Sequence, residues 1–462
     1  MQRNNSSASR VMPPVSPARQ ENLRRIADNN TKARERSLPK RATPDYSGMP
    51  QGSSVAVPFN GRTVKQPRVQ AEKRVKNITE PKEKVKKIRE RMSKFDMPFF
   101  TIVIVLLAFG IVMMFSASYA FAHRVHGDSY YYVSRQLMFI AMGLAAMIGL
   151  SFIDYGILKN KGILTLGAGV TAALMLITPL LGLAVGGSAR WLDFGTFTVQ
   201  PSEILKFVII IVFAYFGHTR YSRLNEFKYG FRPFLTFLIL SCGLMLIQPH
   251  LSGAIIIFAI GIIMMLVAEC KLKHILVMLL IFAILAGAGL ALLSAVGGTY
   301  FDRVEHRIAG WLDPELDVRG TTFQTYQSLI TIGSGGFFGL GLGNSRQKYA
   351  YLPESHNDFI FSIVCEELGF VGAALVILLF VLFIARGYYI AAKARDRFGM
   401  LLAVGITSHM GIQALLNIGV ATNSIPNTGI SLPFFSYGGS ALMMQLAEIG
   451  VILNISRKSA IK

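Results

Sequence analysis

The chain has 462 residues, 52% of them hydrophobic and only 16% charged, which is far more apolar sequence than a soluble core of that length needs, so the excess must face lipid. Its formal net charge of +21 could suit nucleic acid, but about two-thirds of it precedes Asp96 and the rest sits in short loops between apolar runs, an arrangement that argues against a nucleic-acid partner. The cysteines Cys242, Cys270 and Cys365 lack metal-ligand or redox spacing and are assigned no chemistry.

Residues 1–95 come first, rich in Pro, Ser, Asn, Lys and Arg and without a sustained apolar period. Such a segment cannot bury enough surface to offset chain entropy, so a disordered basic cytoplasmic tail is expected there, followed by a membrane domain over 96–462. Its last stretch, EKRVKNITEPKEKVKKIRERMSK from Glu72 to Lys94, suits an interrupted helix lying on anionic lipids, each Lys or Arg there contributing about 1 kcal/mol. A plain topology anchor reads equally well. The first residues are polar and basic and the first long apolar run starts near Phe99, so no removable signal peptide is expected and that run stays as an anchor.

About 20 helical residues cross the ~30 Å of bilayer hydrocarbon. On that measure an all-α integral membrane fold of about ten transmembrane helices is predicted, near Phe99 to Ala120, Leu137 to Ile153, Ile163 to Val185, Pro201 to Phe216, Pro233 to Ile247, Leu251 to Ala268, Ile275 to Val296, Phe359 to Ala385, Met400 to Val420 and Gly439 to Ile455. Basic residues gather in alternate loops, at 159–161, 218–232, 271–274, 386–397 and 457–462, which puts both termini in the cytoplasm. The opposite loops then face out. The largest, between helices 7 and 8, runs from Gly297 to Asn357 and holds Trp311, Gln324, Gln327 and Lys348 among Gly-rich turns. A loop of about 60 residues is uncommon unless functional or partly helical, and a folded cap over a substrate groove is the expectation.

Four places in the outward loops and span ends carry polar chemistry. GGSARWLDFGTFTVQPSEILK over 186–206 reads as a helix start with Pro201 in the first turn and aromatic interface anchors. Helix initiation alone does not call for Arg190, which could fork phosphate oxygens, with Lys206 adding a point charge one turn into the helix or pairing with a nearby Glu. His250 in QPHLSG suits a proton carrier, a ligand or a satisfied junction histidine, and is given no role. YLPESHND over 351–358 leads into FIFSIVCEELGF. An Asp at a helix start is ordinarily a cap, but Glu366, Glu367 and Glu448 lie inside spans, where ionisable groups are costly and line cavities, so Asp358 sits beside a polar cavity. PNTGISLPFFSYGGS over 426–440 reads as a broken or re-entrant segment, with close helix packing as the plainer use of its small residues.

SARWLDFG, QPSEILK, GLGNSRQKYAYLPESHNDFIFSIVCEELGFVG and TGISLPFFSYGGS together resemble the signature segments of the SEDS (shape, elongation, division and sporulation) membrane proteins. The resemblance runs from Phe99 to the C-terminus in order, and GLGNSRQK is similar to the division and sporulation branch (FtsW and SpoVE) more than to the elongation branch (RodA). It implies a ten-helix enzyme that polymerises lipid II into peptidoglycan glycan strands at the outer face of the bacterial cytoplasmic membrane. It also implies that Asp358, in His356-Asn357-Asp358-Phe359, is the catalytic carboxylate. Two departures stand out: Asn357 replaces a commoner Thr, and QPHLSG replaces QPDLGT.

Glycosyl transfer needs a base at the attacking hydroxyl and charge stabilisation at the departing pyrophosphate. Asp358 fits the first task. Arg190, Glu203, Lys206, Gln327, Lys348, Glu354, His356, Glu366, Ser436 and Tyr437 are the candidate substrate-binding residues. A divalent cation, Mg or Mn, is expected on the phosphates, with ligands that the sequence does not assign. The resemblance implies a class B penicillin-binding transpeptidase and other division membrane proteins as partners. A flippase or transporter of the lipid-linked precursor would share the helices and polar cavity, and a division scaffold would need neither Asp358 nor Arg190.

Overall fold

Hydrocarbon cannot satisfy backbone N–H and C=O groups, so apolar runs of this length close their hydrogen bonds within helices. The computed structural model describes residues 95–185, 188–195, 198–296, 299–349 and 351–459, without the side chains of 183–189, 290 and 292–304. The expected basic tail lies outside the described residues. In chain order the elements are α1 (Met97–His126), α2 (Tyr131–Phe152), α3 (Lys161–Leu181), β1 (Leu183–Val185), β2 (Ser188–Asp193), β3 (Thr198–Val199), α4 (Pro201–Thr219) and α5 (Arg232–Ile247). There follow α6 (Leu251–Val267), α7 (Leu272–Val296), α8 (Thr299–Leu312), α9 (Phe323–Ser334), α10 (Ile360–Ala392), α11 (Arg397–Ala421) and α12 (Gly439–Lys458).

Among the described residues, nine helical segments are long and apolar enough to cross a membrane, and the tenth expected span is the shorter apolar α6. The chain is a multi-pass α-helical membrane protein. The fifth span is longer than hydropathy alone indicates, because a π-helical turn, Phe227–Phe231, extends α5 backwards. The third is shorter: Pro179 in its last turn removes a donor, and the backbone turns extended at Gly182. Residues 183–185, expected in that span, instead begin a three-stranded antiparallel sheet in the order β1-β2-β3, with Leu183 opposite Trp191 and Leu192 opposite Val199. This sheet, absent from the all-α expectation, carries Arg190. The large loop contains α8 and α9.

One end of the bundle is tied by ion pairs. Asp96 caps α1 through Phe99 N at 2.9 Å and receives the Arg386 fork at 2.9 and 2.8 Å. Asp396, the cap of α11, takes Lys159, and Asp154 takes Lys458 at 2.5 Å. Arg386 was expected in a loop, yet α10 continues through it to Ala392. The other end holds the sheet, α8, α9 and the chain between α11 and α12. Asn423 Nδ2 donates to the Trp311 carbonyl at 3.1 Å and Asn427 Nδ2 to Gln324 Oε1 at 3.2 Å, so the large loop is fastened over the 422–437 segment.

A break in α10 sets the depth of the site. Gly369 adopts φ 66°, ψ −164°, which a side chain would strain, and it frees backbone groups on both sides. The loop after α9 takes them up: Leu340 N and Gly341 N donate to the Glu366 and Glu367 carbonyls at 2.9 Å, while Phe370 N and Val371 N donate to Gly336 and Phe337 at 3.0 and 3.2 Å. Irregular backbone alongside a span persists only when paired in this way. The first two turns of α10 are thereby a short separate helix, with Asp358 just before its start and Glu366 and Glu367 near its end.

Candidate active site

Glu366 and Glu367 fall in an apolar run, so each carboxylate must find donors or pay a desolvation cost of several kcal/mol. The GLGNSRQK loop supplies them. Glu367 accepts from Ser116 Oγ at 2.7 and 2.8 Å, Gly343 N at 3.0 Å, Ser345 N at 3.3 Å and Lys348 Nζ at 3.1 Å. Glu366 accepts from Arg346 N at 3.0 Å and from Ser345 Oγ. Lys348 also donates to Ser116 Oγ and the Gly343 carbonyl, and Lys348, Glu366 and Glu367 are all buried. Two expected substrate-binding residues, Lys348 and Glu366, are thus placed in an internal cage that locks the loop to α10. A cavity of about 550 Å³ opens beside this loop, lined by Asn344, Arg346, Gln347, Tyr349 and Tyr351, none of them a group that acts on Asp358.

The turn before α10 is held from two directions. Asn417 Nδ2 on α11 donates to the Asp358 carbonyl at 2.8 Å, and Ser436 Oγ donates to the Asn357 carbonyl at 2.6 Å while accepting from Leu432 N at 2.7 Å. Tyr437 N donates to the His356 carbonyl at 2.9 Å. Ser436 and Tyr437 therefore support the turn from the 427–437 segment. Buried His356 packs among aromatic rings, 4.7 Å from Tyr132, 5.1 Å from Phe121 and 6.3 Å from Tyr437 between centroids, and burial lowers its pKa. Exposed Glu354 accepts from Asn357 Nδ2 at 2.6 Å.

Asp358 stays partly exposed, and its surroundings set its acidity. Its pKa is raised to about 6, first by burial and then by Glu354, against the opposing pull of Arg190 and Arg307. Arg190, on β2, donates from Nη2 to the Pro249 carbonyl at 2.5 Å and from Nε to that of Gln248 at 3.4 Å. His250 is held down to about 3 by burial, then by Arg190 and Lys206, and so is a neutral imidazole at pH 7. Lys206 pairs with Glu203 one turn away at 2.7 Å and reaches Gln413 Oε1 at 3.5 Å, all in the interior. Asp358, Glu354, His356, Arg190 and the Glu203–Lys206 pair thus share one end of the bundle. Gln327 lies on α9, next to Ser328, whose Oγ bonds the Ala421 carbonyl and Ser362 Oγ at 2.7 Å.

Sequence reasoning missed Asn417, Gln413 and Arg307. The first two are amides embedded in an apolar run, and Arg307 belongs to an amphipathic stretch that reads as surface. Among the described residues no group of three or more His, Cys, Asp or Glu is arranged to hold a metal ion. Exposed Glu354 does provide hard oxygens of the kind that hold Mg or Mn jointly with substrate phosphates.

A partly exposed carboxylate with a raised pKa, acted on by two fixed cations at one end of a helical membrane fold, has the character of an enzyme site suited to proton transfer. Residues 97–461 match the family described as Cell cycle protein, which takes in FtsW, RodA and SpoVE, and the chain belongs to that family. It is 39% identical to stage V sporulation protein E of Bacillus subtilis (strain 168), over 79% of this chain and 97% of that protein. It is 35% identical to the "Probable peptidoglycan glycosyltransferase FtsW" of Geobacter sp. (strain M18), over 80% and 98%. A solved chain from work on the structural coordination of polymerization and crosslinking by a peptidoglycan synthase complex superposes with a TM-score of 0.65 at 27% identity, covering 80% of this chain and 99% of that one. The rod shape determining protein RodA of Thermus thermophilus shares the fold, with a TM-score of 0.58 at 24% identity over 80% and 98%.

Proposed function

We propose that the chain is a peptidoglycan glycosyltransferase that polymerises lipid II at the outer membrane face, with Asp358 as general base. The observation that carries this is the Asp358 carboxylate itself, partly exposed, raised to about 6 and facing Arg190. A base of that pKa is ionised at neutral pH yet still basic enough to take a proton from a sugar hydroxyl. As the hydroxyl oxygen bonds to the anomeric carbon of the second lipid-linked sugar, the bond to pyrophosphate breaks, the proton passes to Asp358 and the pyrophosphate leaves as a stable anion. No second carboxyl has to protonate it, unlike in glycoside hydrolysis.

Arg190 provides fixed positive charge on the pyrophosphate side, and the Glu203–Lys206 pair keeps a second cation near it. A divalent cation held by Glu354 together with the substrate phosphates would supply Lewis-acid stabilisation of the leaving group, leaving Asp358 free as the base. A transpeptidase partner, of class B penicillin-binding type, is proposed because the chain resembles a component of a synthase complex that couples polymerization to crosslinking. The exposed apolar face of α10, with Phe370, Leu375 and Leu378, is the docking surface assigned to it.

The pH profile tests the base. Because Asp358 must be ionised to accept a proton, turnover should rise as pH passes upward through about 6 and level off above it. An acid limb near the ordinary aspartate value, about 4, would remove Asp358 from that role. Sidedness is tested by labelling. The ion-paired end carries the basic loops and is assigned to the cytoplasm, so exposed Leu316→Cys, at the site end, should react with an impermeant thiol reagent in intact cells. Protection there, with reaction at Leu272→Cys on the opposite end, would invert the orientation.

A further inference from the structure

His409, Gln413 and Asn417 stand four residues apart on α11, so they form one stripe on the helix. All are interior, at 1%, 2% and 0% exposure. Polar side chains inside a span are costly and are kept where they bond or act. His409 Nδ1 meets Glu448 Oε2 on α12 at 2.9 Å. One turn on, Gln413 Nε2 donates to the Ser431 carbonyl at 3.1 Å and to its Oγ at 3.2 Å. One turn further, Asn417 Nδ2 donates both to the Asp358 carbonyl at 2.8 Å and to the Ile430 carbonyl at 2.7 Å.

We propose that Asn417 is a positioning residue for the transfer reaction, an amide clamp that joins the Asp358 turn to the 427–437 segment and so aims the catalytic carboxylate. The inference rests on the reading of Asp358 given above. The geometry explains the residue type. A single nitrogen with two hydrogens is needed to serve two carbonyls from segments far apart in sequence; a hydroxyl serves one and a carboxylate none. Asn417 Oδ1 has no hydrogen-bond partner, and a flip of the amide would set that oxygen against both carbonyls, so the orientation is fixed. The second carbonyl belongs to the residue after Gly429, whose φ is +65° and where a Cβ would lie 3.3 Å from Asp358 Oδ2. The clamp therefore sets how the carboxylate lies on the bare Gly429 backbone. Gln413 pins the next residue, Ser431, and leaves that backbone no freedom to slide.

The charged groups acting on Asp358 are Glu354 from its own turn, Arg190 from β2 and Arg307 from α8, while α11 and the 427–437 segment bring Asn417 and Gly429 against it. Cutting the clamp leaves all three charges in the chain and changes only the placement of the carboxylate. The test uses the purified full chain with lipid II, comparing Asn417→Ala, Asn417→Ser and Asn417→Gln with wild type and Asp358→Asn. Asn417→Ala should lower kcat by about 10²-fold, the scale of a 1 Å misplacement, with KM changed by less than about threefold. Its acid limb should move below the wild-type position as water reaches the loosened turn. Asn417→Gln, which keeps both donors, should recover part of kcat.

A merely structural amide would lower the yield of folded protein but leave kcat per folded molecule and the acid limb in place, and that result overturns the proposal. So does a loss confined to KM. If Asn417→Ala does not fold, Asn417→Ser, with one donor, decides the matter: a reduced kcat with a shifted limb supports the clamp, and wild-type values refute it. Wild type without turnover, both alone and with a class B transpeptidase, would instead sink the glycosyltransferase reading, and the clamp with it.

Discussion

Asp358→Asn should abolish detectable glycan polymerisation while leaving a folded, inserted protein that still binds lipid II. Asn keeps the size of the side chain and an oxygen able to cap the helix, but it cannot accept a proton at neutral pH. Loss of a general base typically costs a factor of about 10² to 10⁴. Stability should move the other way. The folded pKa of about 6 lies above the unfolded value of about 3.9, so ionisation of Asp358 works against the fold as pH rises through about 6. The Asn variant should melt at or above the wild-type temperature at pH 7 to 8, and the difference should vanish below about pH 4. Measured together, turnover and melting separate a base from a cap. A helix cap would keep both stability and rate in the variant, because Asn caps as well as Asp.

Lys348→Ala should be the most destabilising single change at this end of the bundle. Lys348 and Glu367 are 3.1 Å apart and at most 4% exposed, and removing one partner of a buried pair leaves an uncompensated charge, at a cost of about 3–5 kcal/mol. The cage also holds the loop that pairs with α10 at Gly369, so loosening it frees backbone groups as well. Thermal unfolding in detergent measures the effect. The sequence-based expectation, in which Lys348 binds substrate phosphate, predicts instead an unchanged melting temperature with a raised KM. A variant that melts like wild type would restore that expectation and contradict the cage.

Hydropathy made the spans legible because a helix in lipid must be apolar along its whole length, whatever it packs against. The same reasoning missed the break at Gly369. CEELGFVGAALV reads as continuous helix, and what stabilises the break is a loop ending about 30 residues earlier in the chain, a pairing no local pattern encodes. The four polar places were visible as residues too costly to place in a membrane without a use. Their grouping was not visible, since Arg190 acts on Asp358 from a small sheet, far away in sequence, whose β2 ties it to the carbonyls just before α6. Lys348 and Glu366 show a second pairing that no local pattern encodes. Each was read as facing substrate, and the GLGNSRQK loop brings Lys348 to Glu367 and gives Glu366 a backbone N–H and a serine hydroxyl.

Turnover of lipid II by the purified full chain, alone and with a class B transpeptidase, tests most directly whether this family member polymerises through Asp358. Glycan strands should form with wild type and fall below detection with Asp358→Asn. Transport of lipid II across vesicles without any strand formation, equal in wild type and Asp358→Asn, would contradict it.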